Sequence, residues 1–141
     1  MKEQIIELMK SFFSEMNKWE RECGAISDAS ETEDLDMDKE YRILCEKKRS
    51  IFAKYCTTKN VQAVSEYNMS WGRKGDYKYD NERMSVVELK ENKDRITVIT
   101  QRQKPMPEEH RFILLNEDEQ WRLDSKKRRM IGDKTWKTDY L

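Results

Sequence analysis

The chain predicts an α+β fold in which N-terminal helices pack on one face of a curved, mainly antiparallel sheet. Three observations predict it. Residues 2–23 and 38–56 carry apolar side chains at helical spacing. Four later segments, about 83–91, 95–103, 109–116 and 120–127, have the composition of strands. The breaks between those strands are short enough to impose antiparallel, meander pairing.

The first helix is predicted from Ile5, Met9, Phe12, Met16, Trp19 and Cys23, with Ile6 and Phe13 widening the stripe and Gly24 as its stop. Glu3, Glu7, Glu15 and Glu20 fall on the polar side, which favours a core-facing helix over one lying on an anionic membrane. Residues 25–38 lose all periodicity and turn acidic, so they read as a solvated loop. Asp34, Asp36 and Asp38 resemble the start of a calcium loop, but the turn glycine and the distal bidentate Glu are missing. No metal site follows from them.

Asp38 is the predicted cap of the second helix, and Tyr41, Leu44, Cys45, Lys48, Ile51, Phe52 and Tyr55 form its stripe. Its acidic start and basic end suit the helix dipole without any ligand. Between Thr57 and Glu82 the pattern weakens. Val61, Val64 and Tyr67 are compatible with a short helix, while Trp71-Gly72 and Gly75-Asp76 mark turns. Aromatic residues beside Arg73, Lys74 and Lys78 raise the idea of base stacking, but core edging is preferred because no basic domain surrounds them.

The strand pattern is clearest from Arg111 to Lys126. Phe112, Ile113, Leu114 and Leu115 form an apolar run, read as a strand covered on both faces. Asn116 to Glu119 makes the turn, and Trp121, Leu123 and Ser125 then alternate with Arg122, Asp124 and Lys126 as one buried and one exposed face. Ile96, Val98 and Thr100 alternate in the same way, and the prolines of Lys104-Pro105-Met106-Pro107 place a loop before the third strand. The basic run Lys126 to Arg129 reads as a solvated sheet edge. Trp136, Tyr140 and Leu141 predict a docked tail.

At 141 residues the chain is predicted to be a single domain, 1–141, large enough for one core. Lys plus Arg equals Asp plus Glu at 28 each, so net charge offers no drive toward nucleic acid or an anionic membrane. Cys23, Cys45 and Cys56 are odd in number and widely spaced, as reduced thiols in a cytoplasm would be. The start, MKEQIIELMKSFF, is interrupted by Glu7 and Lys10 and does not read as a signal peptide. No stretch approaches the roughly 20 apolar residues of a membrane span.

The two helices, the Tyr77-x-Tyr79-Asp80 stretch, the strand from Ile96 to Thr100, Trp121-Arg122-Leu123-Asp124-Ser125-Lys126-Lys127-Arg128 and the closing Trp136-Lys137 and Tyr140-Leu141 together resemble a known family. It is that of the immunity proteins with the nuclear transport factor 2-like (NTF2-like) fold, which accompany bacterial polymorphic toxins of the Rhs and related types. The similarity covers roughly Tyr41 to the end and is best from Tyr77 onward. It implies a cone-shaped α+β fold, no enzymatic activity, and binding of a cognate toxin C-terminal domain in the cytoplasm, a nuclease being one option. It implies no toxin-contacting residue.

The residues themselves nominate the acidic stretch Asp28, Glu31, Glu33, Asp34 and Asp36 as a docking element for a basic toxin. A rival reading is a small pocket enzyme, for which Asp124, Tyr77 and Tyr79 would be the acid–base and oxyanion groups, with Trp71 and Trp121 as further pocket residues. No catalytic pair stands out, His110 reads as exposed within Glu-Glu-His-Arg, and no cofactor fingerprint is present. A third reading is a dimeric binding module. The expected state is monomer or homodimer, without direct contact to nucleic acid or membrane.

Overall fold

The computed structural model describes the backbone of residues 1–141 and every side chain except those of Asn68 and Arg83. Helix α1 is Lys2–Ala29, α2 is Met37–Tyr55 and α3 is Thr58–Ala63. Short 3₁₀ turns at Glu66–Asn68 and Asn81–Arg83 lead into five strands: β1 Met84–Asn92, β2 Arg95–Arg102, β3 Glu108–Glu117, β4 Gln120–Met130 and β5 Lys137–Asp139. The sheet order is β1-β2-β3-β4-β5, antiparallel throughout.

One face of the sheet meets the helices. Ile96 and Val98 of β2, Phe112 and Leu114 of β3 and Leu123 of β4 are fully buried there, against Ile5, Met9, Phe12, Phe13 and Met16 of α1 and Leu44 and Phe52 of α2. Phe13 and Phe112 rings lie 5.5 Å apart, and Phe12 meets Phe52 at 5.9 Å. Trp19 Nε1 donates to the Leu44 carbonyl at 2.8 Å, locking α1 to α2 with no indole donor left unpaired. A residue is inserted in β1 at Val87 and in β4 at Asp124, where the pairing register shifts. Such bulges bend a strand and increase its twist, so they curve the sheet around the helices.

Several sequence expectations change. Helix α1 passes through Gly24 to Ala29, because Ile26 still finds apolar cover and Gly24 does not take the left-handed backbone that ends helices. Asp36, not Asp38, caps α2, accepting from the Lys39 amide at 3.2 Å. Glu20 is not on a solvated face but 1% exposed. The outward-facing Ile113 and Leu115 are only half-buried, so β3 is fully covered on one face alone. His110 is buried, since it shares the inward parity of Phe112 and Leu114. In β4 the alternation holds only as far as Leu123. The extra residue, Asp124, then reverses the parity, and Lys126 turns inward at 3% exposure in place of Ser125. The basic run is no free edge: Lys126, Lys127 and Arg128 pair with β5, and Arg129 binds Glu109 at 3.0 Å. Leu141 docks, whereas Tyr140 is exposed.

Candidate functional site

The acidic stretch occupies the reversal from α1 to α2. Asp28 belongs to the last turn of α1, Glu31, Glu33 and Asp34 follow it, and Asp36 is the α2 cap. All five are exposed, and among the described residues none forms an ion pair. The backbone beneath them is ordered by turn hydrogen bonds, from the Glu33 amide to the Ala29 carbonyl at 2.8 Å and from Leu35 to Glu33 at 3.1 Å. The structure therefore brings these carboxylates together at one end of the helical layer, uncompensated and on a held backbone.

The residues of the pocket-enzyme reading do not converge. The Tyr79 ring is wedged in the core, 5.3 Å from Phe12 and 5.5 Å from Phe13. Its hydroxyl is buried without a hydrogen-bond partner among the described residues. Tyr77 lies beneath the Arg21 guanidinium at 4.7 Å. Trp71 packs near Tyr41, with ring centroids 6.5 Å apart, and Trp121 sits at the β3–β4 hairpin opposite Asn116. Only Asp124 lines a cleft, where it accepts from Thr57 Oγ1 at 2.9 Å and pairs with Lys59 at 3.1 Å. A carboxylate so engaged, with neither tyrosine hydroxyl beside it, is no acid–base couple.

That cleft, about 660 Å³, opens between α2, α3 and the β4–β5 margin. It exists because β4 has two separate partners along its outer side. Cys56 and Thr57 bridge to Leu123, and β5 pairs from Lys126 onward, leaving the bulged Asp124 between them. Lys48, Lys78 and Lys126 line it, and burial pulls all three amines below their ordinary pKa, Lys126 to about 8. Lys78 repels both of the others, while Asp139, 3.1 Å from Lys126, partly offsets the cost. Burial pushes the Asp139 carboxyl up, but Lys126, the Tyr140 amide and Lys78 together hold it below its usual value. His110 lies nearby, its Nδ1 3.9 Å from Asp139 Oδ2; burial first, then Lys126, push its pKa down to about 3.

A second buried arrangement ties the irregular segment to α1. Glu20 accepts from the amides of Gly72, Lys78 and Tyr79 at 2.7, 2.9 and 2.8 Å. A Cβ on Gly72 would stand 2.8 Å from that carboxylate and 2.5 Å from the Asp76 carbonyl, so only glycine fits. The cysteines are packing residues: all three are buried and unpaired, and burial pushes the Cys23 thiol to about 12 and raises Cys56 as well. Among the described residues no cluster of three His, Cys, Asp or Glu offers a metal site, and no helix is long and apolar enough to cross a membrane.

Sequence reasoning missed Glu20, His110 and the three lysines of the cleft as buried groups. Lys48 carried a signal, because it sits on the apolar stripe of α2, and His110 carried one in its parity with Phe112 and Leu114. Lys126 carried none, since nothing local announces the bulge before it.

A protein family described as NTF2 fold immunity protein matches residues 4–140. Among curated proteins, Immunity protein RhsIA of Dickeya dadantii (strain 3937) is 28% identical over 138 residues, covering 92% of this chain and 90% of that protein. No solved structure matches the chain. The family match begins in the first turn of α1, so the likeness extends well before Tyr41.

Proposed function

The chain belongs to the NTF2-fold immunity proteins, non-enzymatic proteins that neutralise a cognate toxin, and from that premise we propose how and where it does so. The toxin is an Rhs-type C-terminal domain, blocked by stoichiometric one-to-one binding in the cytoplasm of the producing cell. Its contact surface is the α1–α2 reversal with Asp28, Glu31, Glu33, Asp34 and Asp36. The observation that carries this reading is the set of five exposed carboxylates without a cationic partner among the described residues.

An uncompensated acidic surface attracts a basic one, and a nuclease must be basic where it holds phosphate. We take a nuclease domain as the partner on that ground. The expected physics is ordinary: the carboxylates accelerate encounter over a Debye length of roughly 8 Å at physiological salt, and a buried apolar centre sets residence time.

The test has two parts. Co-expression with the toxic domain encoded beside this chain should restore growth and yield a one-to-one complex. The variant Asp28→Asn, Glu31→Gln, Glu33→Gln, Asp34→Asn, Asp36→Asn should then associate about tenfold more slowly, with a flatter salt dependence. Asn at 36 retains the helix cap, so folding is spared. An unchanged association rate would remove the acidic reversal from the interface while leaving the immunity function intact.

A further inference from the structure

The side chains lining the cleft beside β4 carry more positive charge than negative. Lys59 is matched by Asp124 and Lys126 by Asp139, each at 3.1 Å. Lys48 and Lys78 line the same space, and neither has a carboxylate within ion-pair distance among the described residues. Their ammonium groups rest on aromatic faces instead. Lys48 Nζ is 5.3 Å from the Trp19 and Phe52 rings, and Lys78 Nζ is 5.6 Å from Tyr79. The Tyr79 ring also stands 5.7 Å from Lys126 Nζ, so one ring is shared by two cations.

A ring face recovers only part of what it costs to take an ammonium out of water. Like charges gathered around one low-dielectric pocket add to the deficit. Ring faces therefore do not explain why these lysines converge. An anion does, because it would supply the acceptors that Lys48 and Lys78 lack. The cleft also provides hydroxyls at Ser70 and Ser125 and apolar walls at Val64 and Leu141.

We propose that this cleft binds a small molecule bearing a carboxylate or phosphate, with the anionic group seated among Lys48, Lys78 and Lys126 and the remainder against Val64 and Leu141. The site is separate from the acidic reversal, and its occupancy does not depend on the toxin reading. Lys48 and Lys78 supply the unmatched charge, and Lys126 with Asp139 forms the wall that orients it.

The probes are inorganic phosphate and citrate, each titrated into the purified chain at constant ionic strength against sodium chloride. Because phosphate stabilises any folded protein by exclusion, the primary readout is two-dimensional NMR. Saturable shifts at the backbone amides around Lys48, Lys78 and Lys126 are expected, with calorimetric binding to match for at least one probe. Lys78→Met and Lys48→Met should each weaken that binding at least tenfold, whereas Lys74→Met, the same charge change at an exposed position, should leave it as in the parent. Shifts that fail to saturate for both probes, or a folded Lys78→Met protein that binds as tightly as the parent, would overturn the proposal. The titration of the unsubstituted chain decides it even where a variant does not fold.

Discussion

Lowering the pH from 7 to 5 should cost this protein stability through one side chain, His110. The native state keeps its imidazole neutral, with a pKa of about 3, because burial and the nearby Lys126 ammonium oppose protonation. In the unfolded chain the same group titrates near 6.5. Between those values the unfolded state binds a proton that the native state refuses. Stability is therefore complete above pH 6.5 and lost as the pH falls toward 3, by about 1.4 kcal/mol per unit. At pH 5 the loss is about 1.5 units' worth, or about 2 kcal/mol. The carboxyls held low in the native state, Asp139 and Glu15, act only further down, so they do not blur this window. Urea unfolding at pH 7, 6 and 5 measures it, with His110→Gln as the reference. Glutamine removes the titration and can still donate to Glu108, which His110 Nε2 approaches at 3.2 Å. The parent should lose about 2 kcal/mol more than the variant between pH 7 and pH 5. Parallel profiles for the two proteins would refute the reasoning.

Two further outcomes follow from the backbone arrangement. Glu20→Ala leaves three inward amides without an acceptor and should destabilise by about 3 kcal/mol in urea unfolding, whereas Glu20→Gln, which retains one oxygen, should cost roughly half as much. Asp118 and Glu119 both take positive φ, 53° and 65°, in the two-residue turn between β3 and β4, the conformation that favours Asn-Gly. Glu119→Gly should therefore raise stability by about 1 kcal/mol, seen as a higher urea midpoint with an unchanged slope.

What was legible in the sequence was whatever depends on near neighbours. Ile96, Val98 and Thr100 announce β2 because its alternation is uninterrupted and each residue's fate follows from parity alone. The stripe of α1 is equally local, and so is the acidic composition of the reversal that follows it. Glu20 was illegible because its burial is decided by Gly72, Lys78 and Tyr79, more than fifty positions away. Lys126 was illegible because one inserted residue, Asp124, exchanges inside for outside without any change in composition. For the same reason the cleft could not be assembled in advance. Of the five pocket residues read from the sequence, Asp124 alone lines it, while Tyr79, which lines none of it, offers its ring to two of the lysines that do. The family likeness was carried mainly by the strands, and the matched span shows that α1 shares it.

The order of the elements along the chain has a consequence for synthesis. The apolar face of α1 is complete by Ala29, but the strands that cover it run as far as Leu123. At a ribosomal rate of about 5–20 residues per second, that face waits roughly 5–20 s for its cover. Before the strands, α2 shields part of it through the Trp19–Leu44 latch, and Tyr79 covers Phe12 and Phe13. A nascent chain halted between the two helices and β4 is thus a sticky helical hairpin, and the onset of protection is timed by the emergence of the fourth strand.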